Sequence, residues 1–274
     1  MNPRSLGLCL VLVIACLPSA NAQEAMVRHR LSFDQFQRTY EEAERDGFRL
    51  IEVSGYSILN EPFYAAIWER RQGWPVQVHH RMTAVEFQRQ VEELARDGFR
   101  PVQISAYTVA NEPLFAAIWE RRDGFPLEVH HRMTSAEFHR RTEDLARVGF
   151  RLIHLSPYSV GNEPFYAAIW ERTDGPPLEV EHRLTSAEFQ RRFDELSRAG
   201  FRLLQVNGYS IGNVPHYAAL WERRDGRPME VHHGLTSDHY QETVERATSL
   251  GFRVIHLSGF TVANDDRYAV IMER

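Results

Sequence analysis

Lysine is missing altogether: all 32 positive residues are arginines. That removes mechanisms needing a lysine base or Schiff-base amine. Cysteine is nearly missing, and Cys9 and Cys16 both stand near the N-terminus. A chain cut after Ala22 would therefore have no thiol to oxidise in an exported compartment, and packing alone would have to hold its core. Beyond Leu17 there is no apolar run long enough to span a bilayer. The formal charge of −5 comes from interspersed Arg and Glu, which gives no basic stripe for nucleic acid and no amphipathic membrane anchor.

The first 22 residues read as an export signal. Arg4 supplies a positive region, Leu6 to Leu17 an apolar run, and Ala20-Asn21-Ala22 a small-x-small cleavage site. Val13-Ile14-Ala15-Cys16 is also the kind of junction at which a lipid is attached. The expected location is thus secreted or periplasmic, with lipid anchoring through Cys16 as the alternative.

What is present is a repeat. EPFYAAIWER at Glu61 to Arg70 returns at Glu112, Glu163, Val214 and Asp265, each copy 51 residues after the last, and Gly47, Gly98, Gly149, Gly200 and Gly251 keep the same interval. Such a period marks supersecondary units that bury their apolar faces only by stacking on neighbours. Residues 23–274 read as one repeat domain, with units near 27–73, 78–124, 129–175, 180–226 and 231–274. The frame leaves no segment over for an appended catalytic domain.

Each unit parses as strand, helix, strand, strand. In the second, Val78 to Met82 alternates as a short strand, and Thr83-x-x-Glu86 is a capping box. Phe87, Val91, Leu94 and Ala95 form one helical stripe, which Gly98 ends. A strand runs from Phe99 to Tyr107, turns through Thr108 to Pro113 and returns as Leu114 to Arg121. The expected fold is α+β: five such units in a curved, mainly antiparallel array with helices on one face. A closed five-fold ring is the alternative, and it would require Val27 to Leu31 to approach Tyr268 to Glu273.

Charge placement suggests a register. Setting Arg49 opposite Glu69 in an antiparallel hairpin puts Ile51 against Ile67 and Val53 against Ala65, a smooth bed for the helix. The other face then carries Tyr56, Tyr64 and Trp68, with counterparts Tyr107, Phe115 and Trp119; Tyr158, Tyr166 and Trp170; and Tyr209, Tyr217 and Trp221. Aromatic rings among hydrogen-bonding groups suit sugars or extended peptides, so these twelve are the candidate ligand contacts. Packing between units is the competing reading. Phe260 and Met272 make the fifth unit look like a cap.

The repeat resembles a family. Gly-Phe-Arg-x-(aliphatic), then Asn-Glu-Pro-x-(Tyr/Phe)-Ala-Ala-Ile-Trp-Glu-Arg, then His-Arg-x-Thr, is similar to the bacterial tandem repeat found as the non-catalytic module of polyglycine hydrolases. In those enzymes the peptidase chemistry belongs to a separate domain resembling serine β-lactamases, with a Ser-x-x-Lys motif. A chain without lysine has no such motif, so the resemblance implies the accessory module alone.

The polar candidates are weaker. His29, His80, His131, His182 and His233 recur in place, but equivalent histidines three strands apart stand on the order of 14 Å apart, too far to share an ion. They read as braces for the turn into the helix, and no metal or other cofactor is expected. His154 with Ser156, or His256 with Ser258, share a strand face, yet their Cβ atoms lie roughly 6.5 to 7 Å apart, and no Gly-x-Ser-x-Gly elbow occurs. The Asn-Glu-Pro segments read as hairpin tips. The function expected is an exported, non-enzymatic recognition module for a glycan, peptide or cell-envelope partner. The alternatives are a hydrolase with a site in one diverged unit, or a structural spacer.

Overall fold

A computed structural model describes residues 24–274; the stretch read as an export signal, with Cys16, lies outside the described residues. Five units follow one another with the same order of elements. The first is β1 (Ala25–Ser32), α1 (Phe33–Arg45), β2 (Phe48–Ile58) and β3 (Glu61–Arg70). The second is β4 (Val76–Met82), α2 (Ala84–Arg96), β5 (Phe99–Val109) and β6 (Glu112–Arg121). The third is β7 (Leu127–Thr134), α3 (Ser135–Arg147), β8 (Phe150–Val160) and β9 (Glu163–Arg172). The fourth is β10 (Leu178–Leu184), α4 (Ser186–Arg198), β11 (Phe201–Ile211) and β12 (Val214–Arg223). The fifth is β13 (Met229–Leu235), α5 (Ser237–Ser249), β14 (Arg253–Val262) and β15 (Asp265–Glu273).

Local chemistry sets the element ends. Ser32, Thr83, Thr134 and Thr185 each accept from the N3 amide while the N3 Gln or Glu accepts from the cap, so two orphan donors are satisfied at once. Thr236 keeps only its own half, because His239 stands at N3. Gly98, at φ +79°, takes the left-handed turn out of α2. The hairpin turn is tighter than the sequence suggested. Val109 pairs with Glu112, leaving Ala110 and Asn111 as a two-residue turn, both at positive φ. Left-handed backbone at both central positions is the geometry that favours Asn.

Each unit is a separate antiparallel three-stranded sheet, with the third strand of the unit in the centre: β1-β3-β2 and its four equivalents. No backbone ladder joins one sheet to the next among the described residues, so the expected single curved sheet is instead five discrete ones. The register is Arg49 opposite Glu69, as charge placement suggests. Beyond Leu50 it departs from the expectation. A bulge at Ile51 sets Glu52 against Ile67, Val53 against Ala66 and Ser54 against Ala65.

That one-residue slip reverses the two faces. Phe36 and Ala43 of α1 pack with Leu50, Val53, Tyr64, Ala66 and Trp68, so the helix lies on the aromatic face. The ring centroids of Phe36 and Tyr64 are 4.8 Å apart. The same cluster takes in Tyr107, Ala116 and Ile118 of the second unit. The smooth Ala65 and Ile67 face therefore meets a neighbouring unit, not its own helix.

The ends of the array meet. Tyr56, Ala65 and Ile67 of the first unit form one core with Tyr240, Val254, Leu257, Tyr268 and Met272 of the fifth. His29 and Tyr268 lie 5.1 Å apart between ring centroids. Arg49 reaches Glu120, Arg100 Glu171, Arg151 Glu222 and Arg202 Glu273, and Arg253 completes the set on Glu69 at 3.1 Å. These arginines thus bridge units, although the hairpin register alone would assign them to their own. Of the two arrangements kept open by the sequence, these contacts are those of the ring.

The closing interface is tight. A Cβ placed on Gly259 would stand 2.6 Å from the Tyr56 ring. Gly259→Val should lower stability by about 1–3 kcal/mol, the usual cost of overpacking. Urea unfolding checks this, and an unchanged midpoint would show that units one and five do not pack in solution.

Candidate functional site

The inner strands β2, β5, β8, β11 and β14 surround the ring axis and are joined by side chains. Ser105 Oγ accepts from Gly55 N at 2.8 Å, Ser156 Oγ from Ala106 N at 2.8 Å, Ser258 Oγ from Gly208 N at 3.1 Å and Ser54 Oγ from Gly259 N at 2.9 Å. The fifth junction differs because Pro157 has no N–H to give. There Asn207 replaces the serine and donates from Nδ2 to Leu155 O at 2.9 Å. Each serine thus satisfies a backbone group of the unit before it, which accounts for a hydroxyl at this position without chemistry.

Two cavities lie on the axis. The first, of about 240 Å³, opens between the hairpin tips. Hydroxyls and amides from all five units line it, among them Ser105, Thr108, Asn111, Asn207 and Asn264, and Glu52 is its sole ionisable carboxylate. The second, of about 310 Å³, lies where Arg71, Glu120 and Arg122 form the rim. Its floor is a ring of Glu52, Gln103, His154, Gln205 and His256. Glu52 and Gln103 border both cavities.

Around this ring the five units carry three different side-chain types at one equivalent position. Gln103 Nε2, His154 Nε2 and His256 Nε2 each donate to a carbonyl of the preceding unit, Val53 O, Ile104 O and Val206 O, at 2.7, 2.7 and 3.0 Å. Gln205 accepts from Leu155 N and donates to His154 Nδ1 at 3.0 Å. An ionised carboxylate has no proton to donate, so Glu52 instead receives His256 Nδ1 at 2.6 Å.

The two ring histidines are pushed apart. Burial holds His154 down to about 4, with the Ile104 carbonyl opposing. Burial also works against the charged form of His256, but the Glu52 carboxylate and its hydrogen bond outweigh it and the net shift is upward. Neither histidine touches its strand neighbour's hydroxyl: His154 uses both nitrogens on Ile104 O and Gln205, and Ser156 Oγ is held by Ala106 N. The pairs weighed as a base and nucleophile are therefore each committed to a neighbouring unit.

The twelve aromatic candidates are core. Tyr64, Tyr166, Tyr217, Phe115, Trp119, Trp170 and Trp221 are 0% exposed, and Trp68, Tyr56, Tyr107, Tyr158 and Tyr209 do not exceed 4%. The rings on β3 and its equivalents face the helix of their own unit, whereas Tyr56, Tyr107, Tyr158 and Tyr209 enter the core of the preceding unit around the ring. Only Tyr56, Tyr107, Tyr158 and Tyr209 border the first cavity. Their hydroxyls also join units: Tyr56 to Tyr268 at 2.7 Å, Tyr107 to Tyr64 at 3.0 Å and Tyr209 to Tyr166 at 3.2 Å. Phe115 and Phe260 break the pair at the other two junctions, leaving the hydroxyls of Tyr158 and Tyr217 without a side-chain ring partner.

The recurring histidines brace the units. His29 Nε2 lies 2.9 Å from Ser237 Oγ at the start of α5, and His233 donates to Ser186 O at the start of α4. His80 sits edge-on to Phe36 and Tyr64, and His131 to Phe87 and Phe115. Among the described residues no three His, Cys, Asp or Glu side chains gather as a metal site.

The sequence matches the polyglycine hydrolase-like structural repeat over residues 23–71, 73–122, 124–173, 175–224 and 226–274. The chain belongs to that family. No curated protein matches it. The five matches tile the ring unit by unit, so family membership describes the scaffold. Among the described residues no helix is long and apolar enough to cross a membrane.

Two stability measurements follow from these placements. Trp119→Ala should cost about 3–5 kcal/mol, as for a buried large aromatic, and thermal unfolding checks it. A midpoint within a degree of the parent would contradict the core assignment. The second concerns pH. An unfolded histidine takes up its proton near 6.5, whereas folded His80, His154 and His182 do so only at about 4. Between these values the unfolded state binds more protons, so stability falls as pH drops from 6.5 toward 4. His256 acts in the opposite sense, stabilising below 6.5 and losing that contribution as pH rises through its raised value. His154→Gln, which copies Gln103 and Gln205, should flatten the acid decline by up to about 3 kcal/mol. An identical pH profile would show that His154 does not carry it.

Proposed function

We propose that this protein is an exported, non-enzymatic recognition module that binds a neutral polar segment, a glycan or an extended peptide, at the hairpin end of its axis. One observation carries the reading: the first cavity collects hydroxyl and amide side chains from all five units around one opening. Such groups offer both donors and acceptors, which is what sugar hydroxyls or peptide amides require. The scarcity of ionisable groups there favours an uncharged ligand. Export rests on the charged, apolar and small-residue pattern of the first 22 residues.

The hydrolase alternative draws less support. Ser156 and Ser258 use their hydroxyls as acceptors for backbone amides of the neighbouring unit, and their strand histidines bond elsewhere. Of the twelve aromatics, Tyr56, Tyr107, Tyr158 and Tyr209 enter the binding reading as wall of the opening, and the other eight as the core behind it.

The hairpin asparagines give a test that spares the fold. Asn60, Asn111, Asn213 and Asn264 all sit at positive φ, where glycine is at ease. Replacing all four with glycine should leave the unfolding midpoint nearly unchanged. On glycan and peptide arrays the same variant should lose at least tenfold in binding, in line with several hydrogen bonds of about 1 kcal/mol each. Retention equal to the parent, or no retention of any neutral ligand by the parent, would overturn the reading.

A further inference from the structure

The ring that floors the second cavity is unbalanced in its hydrogen bonding. Its donors are all in use: Gln103 Nε2 on Val53 O, His154 Nε2 on Ile104 O, Gln205 Nε2 on His154, and both nitrogens of His256 on Val206 O and Glu52. Acceptors remain. Gln103 Oε1 is buried without a partner, on a residue only 7% exposed. Turning the amide over would give up the 2.7 Å bond to Val53 O, so the free end of the amide is the acceptor and not the donor. Glu52, the next member of the ring, uses Oε1 for His256 and has a second oxygen.

A buried acceptor left unmatched is costly, and a floor presenting only acceptors rejects anions. The complementary group carries donors and no acceptor, as an ammonium or a guanidinium does; the compact ammonium, with three donors on one nitrogen, suits acceptors offered by two adjacent members of one floor. Beside an ionised carboxylate its hydrogen bond is also charge-assisted. The rim arginines have carboxylate partners, Arg122 on Glu120 at 3.1 Å and Arg71 on Glu69 at 3.6 Å. Each glutamate also serves an inter-unit arginine, Arg49 and Arg253 respectively, so the floor acceptors must outweigh a rim that is only partly neutralised. Trp74 and Phe125 stand exposed on the same two inter-unit loops as Arg71 and Arg122, offering apolar surface to whatever bears the amine.

We propose that the second axial cavity binds a primary amine, with Glu52 and Gln103 Oε1 receiving the ammonium. The amine is that of an unblocked peptide N-terminus or of an amino sugar. Glu52 and Gln103 also border the hairpin-end opening, but the amine proposal rests on their free acceptors and stands whether or not that opening binds a neutral segment.

The test uses the full mature chain and two pairs of probes at neutral pH: dialaninamide against N-acetyl-dialaninamide, and glucosamine against N-acetylglucosamine. Binding is followed by calorimetry and by the imidazole NMR signals of His154 and His256. A free amine should bind and move the His256 signals, and its acetylated partner should not; the pair that responds names the source. Gln103→Met, which keeps length and loses the acceptor, should weaken binding at least fivefold, and Glu52→Gln at least tenfold. If Glu52→Gln fails to fold because His256 loses its partner, the double variant Glu52→Gln/His256→Gln places in both units the residue that units two and four already hold. Equal binding of amine and acetylated probe, no movement of the His256 signals with either amine, or undiminished affinity in the Gln103 and Glu52 variants would overturn the proposal.

Discussion

The structure depends on the contact between one unit and the next. A three-stranded sheet with a helix on one face leaves its other face bare, and here that face is made of residues small enough to be covered. Ala65 and Ile67, and their counterparts, lie against the helix-bearing side of the preceding unit. Each core is thus shared, with the helix and aromatic face of one unit capped by the smooth face of another. Buried apolar area of this kind supplies on the order of 25 cal/mol per Å². A unit on its own would forfeit about half of its core. The ring is the arrangement that leaves no unit with an uncovered face.

The same contact explains the polar residues on the axis. Inner strands too far apart for a backbone ladder leave amides and carbonyls facing each other across a gap, and buried backbone groups need partners. Serine fills the gap by accepting the facing amide, as at Ser105 and Gly55. At the junction where Pro157 removes the amide, Asn207 changes the direction of the bond and donates to a carbonyl instead. A serine there would have no N–H to meet. The substitution of one unit is therefore answered in its neighbour, which is how interface residues behave and is not a sign of a separate function.

Much of the unit was legible because its signals are local. Thr83-x-x-Glu86, the stripe from Phe87 to Ala95 and Gly98 specify a helix, its start and its end within sixteen residues. Arg49 against Glu69 was legible too, because opposite charges open one strand of the hairpin and close the other. The faces were not. Period-two reasoning carried past Ile51 assumes an unbroken ladder, and a single extra residue inverts every assignment beyond it. Nothing in Leu50-Ile51-Glu52 announces a bulge. Ring closure was likewise hidden, because rotation per unit is a sum over whole interfaces. Its clearest mark, Arg253 on Glu69, joins residues 184 positions apart.

The axis also explains why the five units diverge at the position of Glu52. In a linear array each unit meets its neighbours in the same way, so one residue type can serve throughout. On an axis the five side chains at the position of Glu52 also crowd one another within a narrow space. Five carboxylates there would repel at close range, and five imidazoles would each need burial as the neutral form. A mixture of Glu, Gln and His lets one carboxylate hold one imidazolium, as Glu52 holds His256 at 2.6 Å, while His154 remains neutral beside Gln205. Ring closure thus forces chemical asymmetry onto a repeated sequence, and the asymmetry falls where the units face one another across the axis.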